Sequence, residues 1–282
     1  MRDLARLARQ VRAEVKADNL SLVAAGVAFY GLLAIFPAII ATVAVYGLVA
    51  DPDHISAQLA SATEALPQEA ADLIVSQLSA AAKIDRSGLT LGLVLSLGAT
   101  LWAATGGVRA LLNGLNVIYD VKENRGFVRR SALALGLTVG GLVTVAAALA
   151  LVAAFPVALD RVGLEPVAAG LAEAARWLLL VILILLGLAL LYRWGPARPT
   201  ARRRWVTWGS AGALLVWILG SIAFSVYVAN FGSYNKTYGT IAAVIVLMLW
   251  LYVSAFSVLL GAEIDAVRER DKSVTPTTPE VV

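Results

Sequence analysis

LLLVILILLGLALL, at positions 178–191, is the stretch that decides the fold. It is apolar on every face and carries no charge, which suits neither an amphipathic soluble helix nor a strand alternating between core and water. Extended to 171–192, it is one of six such stretches, with the others at 22–49, 88–112, 131–159, 206–230 and 239–262. Each reaches the roughly 20 residues a helix needs to cross a hydrocarbon core about 30 Å thick. Only helices and closed barrels satisfy their backbone inside lipid, and these runs lack the two-residue alternation of a barrel strand. The expected fold is therefore all-α, a polytopic membrane protein with six transmembrane helices.

Composition points the same way. Hydrophobic residues make up 60% of the chain and charged residues 15%, with a mean hydropathy of +0.80; soluble domains carry about 25% charged residues. The net charge of +4 would suit a nucleic-acid partner only if the bases clustered on a soluble face, and they do not. Residues 1–19, 119–130, 193–204 and 263–282 hold 17 Lys and Arg, whereas 51–87, 160–176 and 231–238 hold 5. Cytoplasmic loops collect such residues, so both termini and the two basic connectors are expected to face the cytoplasm. The first apolar stretch is too long for a signal-peptide core and is expected to be retained.

Residues 1–270 read as a single six-span domain. Leu4, Leu7, Val11 and Val15 recur at helical spacing, with Arg2, Arg6, Arg9, Arg12 and Lys16 on the other faces. This predicts a basic amphipathic N-terminal helix lying on anionic lipid. Residues 51–87 hold six acids against two bases and two short amphipathic patterns separated by Pro67, which predicts an extracytoplasmic helical hairpin. Residues 271–282 lack periodicity and are expected to form a disordered cytoplasmic tail. Trp177, Trp194, Trp205 and Trp208 fall at span ends, where indoles favour the headgroup region; Trp102, Trp217 and Trp250 are expected between helices.

The second span carries the strongest candidate site. Thr105, Arg109, Asn113 and Asn116 share one helical face with Trp102 and Gly106. A charge and two amides are costly toward lipid, so this face lines either a polar pathway or a packed helix end where the amides cap neighbouring helices. Glu263, at the end of the last span, is the candidate charge partner of Arg109. Pro37 removes a backbone donor within the first span and marks a candidate helix break. Tyr234, Asn235, Lys236 and Tyr238 form a turn that is a candidate outer mouth. On the last span, Ser254, Ser257 and Gly261 share a small-residue face suited to close packing.

No catalytic residues are expected. One histidine, His54, and no cysteine leave nothing for a zinc or dinuclear hydrolase site or a Ser-His-Asp device, and no phosphate or dinucleotide fingerprint appears. No metal, cofactor or nucleic acid is expected. The expected partner is the lipid bilayer, and homo-oligomerisation is left open.

AAGVAFYG and LAIFP within 24–37, NVIYDVKENRGF at 116–127, and YVANFGSYNKTYGTIAAVIVLMLWLYVSAFSVLLGAEI at 227–264 resemble the YihY/BrkB family of bacterial inner-membrane proteins. The resemblance spans nearly the whole chain and implies six spans with both ends cytoplasmic. Members have carried the labels ribonuclease BN and virulence or serum-resistance factor. Neither label maps a mechanism onto residues here, and the first lacks the ligands it would need. The leading expectation is transport or export of an unidentified substrate, driven by no ATPase motif of its own. The alternative is a membrane scaffold or envelope-integrity factor that moves nothing.

Overall fold

In the computed structural model, residues 2–49, 91–155, 159, 166–198, 207–230 and 235–274 are described. Every regular element among them is helical: α1 (Arg2–Ala17), α2 (Leu20–Val49), α3 (Leu91–Ala104), α4 (Gly106–Ile118), α5 (Phe127–Leu149), α6 (Pro166–Trp194), α7 (Trp208–Asn230) and α8 (Asn235–Val274). A π-helical segment, Ala150–Ala154, extends α5. Among the described residues, four helices are long and apolar enough to cross a membrane, at Phe127–Val152, Val167–Trp194, Trp208–Ala229 and Val244–Asp271, or five if α1 and the start of α2 count as one bent span. The expected hairpin at 51–87 lies outside the described residues.

The chain divides into two compact units. One comprises residues 30–107, and the other residues 1–29 with 108–282. In the smaller unit the expected second span is not one continuous helix. It parts at Thr105, whose hydroxyl donates to the Trp102 carbonyl at 2.6 Å. A threonine bonding back to its own helix, followed by Gly106 and Gly107, competes with the regular ladder at that point. Helix α2 runs on through Pro37. Gly31 and Gly107 meet closely here, since a Cβ on Gly107 would fall 3.0 Å from the Gly31 Cα.

In the larger unit, α1 and α2 are separated by Asp18 and Asn19 and diverge by 61°. Asn19 takes the left-handed conformation (φ 49°), which asparagine tolerates better than most residues. The core joins Leu20 and Ala24 of α2, Leu115 and Ile118 of α4, Tyr192 of α6, and Ala255, Leu259, Ala262 and Ala266 of α8. Around it the spanning helices turn apolar side chains outward, among them Val143, Leu178, Leu219 and Ile245, each more than half exposed. That inversion of the soluble pattern suits a hydrocarbon surround.

Helices α7 and α8 pack closely. A Cβ on Gly261 would fall 2.5 Å from the Gly209 carbonyl oxygen and 2.5 Å from the Tyr192 hydroxyl. Ser254 accepts a hydrogen bond from the Trp217 indole at 3.0 Å, and Trp217 meets Trp250 edge-on at 6.3 Å. The small-residue face of the last span is thus a packing face. Trp177, Trp194 and Trp208 are more than half exposed, and Trp102, expected between helices, is 43% exposed. Trp205 lies outside the described residues.

Two boundaries need correction. Helix α8 continues to Val274, so residues 271–274 belong to it rather than to a tail, and Gln10 donates to Asp271 at 3.2 Å. Asn235, Lys236 and Tyr238 open α8 instead of forming a turn, because helical bonding starts at Asn235. Tyr234 lies outside the described residues.

Candidate functional site

Polar side chains of the larger unit gather where α4, α6 and α8 end and α7 begins. Helix α4 closes with a Schellman arrangement: Val121 N–H donates to the Asn116 carbonyl at 2.9 Å, Asp120 N–H donates to Val117 at 3.0 Å, and Asp120 adopts φ 51°. That reversal returns residues 121–126 beside the end of α6. Glu123 accepts from Arg125 Nε at 2.7 Å, from Arg125 Nη2 at 2.8 Å and from the Asn116 amide at 3.1 Å. Arg125 in turn donates to the carbonyls of Trp194 at 3.1 Å and Gly195 at 2.9 Å. The Asn116 oxygen accepts the Ala197 N–H at 2.8 Å. These bonds form a latch between two connectors. The Arg125 side chain, with its hydrogen bonds, holds the Glu123 carboxyl down at about 2, against desolvation that would raise it.

Asn116 is therefore buried and engaged through both ends of its amide. Asn113 is exposed and accepts from Arg130 at 2.7 Å. Arg109 is partly buried, with Arg130 among its charged neighbours. Thr105 belongs to the smaller unit and is fully buried there.

Glu263 is also fully buried. Its charged neighbours are Asp18, Arg270 and Glu14, and Arg109 is not among them. Arg270 reaches Glu14 at 3.1 Å, Asp120 at 2.6 Å and the Ile118 carbonyl at 3.0 Å. Burial, then the nearby Asp120 and Glu14, push the Asp18 carboxyl up. One carboxylate-oxygen from each of Glu14, Asp18 and Glu263 lies within 4.8 Å of the other two. The sequence offered a weak signal for this group, since Glu14 and Asp18 are four residues apart, the first in the last turn of α1 and the second just past its end. Nothing in it pointed to α8 as their neighbour.

Asp265 does a different job. It accepts the Gly209 N–H at 2.8 Å at the start of α7, where the exposed helix dipole favours a negative group. Thr207 and Ser210 complete that cap, each backbone N–H donating to the other's hydroxyl at 3.0 and 3.1 Å. Arg198 pairs with Glu269 at 2.6 Å and lies over the Tyr119 ring at 4.1 Å.

Apolar outward faces on several long helices, with polar groups collected inside one end, define a multi-pass helical membrane protein. Residues 11–280 match the family described as "Virulence factor BrkB", and the chain belongs to it. A ribonuclease-like protein of Bacillus subtilis, YfkH, is 35% identical over 198 residues, covering 67% of this chain and 70% of that protein. A UPF0761 membrane protein of Tolumonas auensis is 40% identical over 91 residues, covering 32% of this chain and 29% of the relative. Another, from Ralstonia nicotianae, is 30% identical over 161 residues, covering 55% and 34%. No solved structure matches the chain.

Proposed function

We propose that this chain is a six-span protein of the bacterial inner membrane, both termini cytoplasmic, that moves an unidentified substrate across the envelope. The supporting observation is that Glu263 is fully buried and Arg109 partly buried among helices whose outward faces are apolar. Charge at membrane depth is costly and is retained chiefly where it handles a substrate, an ion or a proton. The basic residues concentrated in four segments support the orientation. Thr105, Arg109, Asn113 and Asn116 are the proposed pathway residues, and Asn235, Lys236 and Tyr238 belong to the proposed outer mouth. The movement is facilitated, ion-coupled or driven by a partner, and the chain is not an enzyme.

The test is flux in liposomes with a broad panel of ions, metabolites and lipids, paired with accessibility. Thr105→Cys and Asn113→Cys should react with small water-soluble thiol reagents, Leu101→Cys should react poorly, and a transported substrate should change the Thr105→Cys rate. No flux, together with a Thr105→Cys protected under every condition, would leave the scaffold reading. One observation favours that second reading: Asn116 is committed to the latch between connectors, and Asn113 is committed to Arg130.

A further inference from the structure

The acidic group between α1 and α8 stands apart from the pathway residues and carries its own chemistry, whether or not the chain transports anything. Glu14 lies on the last turn of α1 and Asp18 just beyond its end, and Glu263 approaches from α8. Glu263 has 0% of its surface exposed, and neither of its carboxylate oxygens meets a hydrogen-bond donor among the described residues. Asp18 Oδ2 is likewise without a donor there. Arg270 bonds Glu14, Asp120 and the Ile118 carbonyl. With Asp120, four carboxyl groups thus surround one guanidinium. Ionising a buried carboxyl that meets no donor is among the costliest steps in a folded protein, and a cation between the oxygens removes that cost.

We propose that Glu14, Asp18 and Glu263 bind a hard divalent cation, of calcium or magnesium type, that clamps α1 to the last helix. All three donors are oxygens, the ligand class of hard cations rather than of zinc or copper. Three oxygens separated by no more than 4.8 Å surround a point that each can approach at about the 2.3–2.6 Å of a calcium–oxygen bond, with slight closure. Magnesium bonds are shorter and keep more water, so calcium suits the spacing better. Glu14 and Asp18 are only partly buried, which leaves a side open for water to complete the shell. The ion sits at the bend between α1 and α2, where it would fix their angle.

The test uses the full chain in nanodiscs, stripped with chelator and then titrated with calcium or magnesium chloride. Bound ion is read by calorimetry and melting temperature by tryptophan fluorescence. The expected result is saturable binding of about one ion per chain, with a melting temperature raised by a few degrees. Glu263→Gln and Asp18→Asn should each lose the binding and the rise, while melting no lower than the wild type in chelator, because each removes a repelling charge. Glu173→Gln, remote from the group, should keep both responses. Should Glu263→Gln fail to fold, Asp18→Asn at the more exposed edge carries the same comparison. No saturable binding by the wild type, or binding unchanged in both variants, overturns the proposal. A melting temperature that rises on acidification yet ignores both ions assigns the group a shared proton and overturns it equally.

Discussion

Glu123 shows how one side chain sets the connection between helix ends. Its carboxylate collects donors from Arg125 and Asn116, and Arg125 carries the connection onward to the end of α6. The folded-state carboxyl sits at about 2, below the roughly 4.3 of a free glutamate. A depressed value means that the latch contributes its full stability above about pH 4 to 5 and loses it as pH falls toward 2. Glu123→Gln should therefore lower stability at pH 7 by about 1–3 kcal/mol, the worth of hydrogen bonds to a charged group. Melting curves in detergent at successive pH values should show wild type and variant converging as the buffer is acidified; a gap that stays constant to pH 3 would contradict the argument. Asn116 was legible as a polar residue facing inward. Its partners Glu123 and Ala197 were not, because they reach it only after the chain reverses at Asp120.

At the scale of the element, the α7 and α8 pair depends on small residues. Gly209 and Gly261 let the two backbones approach, and the absence of side chains there matters more than any added contact. Gly261→Ala should destabilise by about 1–3 kcal/mol through overpacking, read as a lower melting temperature. Gly140→Ala, with open space around its Cα in α5, should change it little or raise it. Equal melting of the two variants would show that the close approach does not carry the pairing. Helix type was readable from apolar length throughout, but breaks were not. Thr105 divides the expected second span through its own hydroxyl and the glycines after it, a local competition that hydrophobic periodicity does not register.

For the whole molecule, the proposed orientation rests on the charge distribution. With no native cysteine, single substitutions report sidedness without background: Ala57→Cys, Ala168→Cys and Ser233→Cys should label from outside intact cells, and Ala5→Cys, Asn124→Cys and Ala201→Cys should not. Outside labelling of Asn124→Cys would reverse the proposed topology. The ribonuclease-like name of the Bacillus subtilis relative leads to a second check. Purified protein should cleave RNA no faster than a His54→Ala preparation, and robust metal-dependent cleavage lost in that variant would make the chain an enzyme. Read alone, the sequence was enough to set the solvent: apolar length and charge distribution are properties of the chain, and transfer into lipid reads them segment by segment. It also determined the small-residue packing face of the last span. Which acids meet was set by helix packing, since Glu14 and Glu263 stand at opposite ends of the chain and periodicity relates residues only within one helix. Glu263 consequently lies against Asp18, Glu14 and Arg270 rather than Arg109, an outcome set by how helix ends pack and by the bend at Asn19.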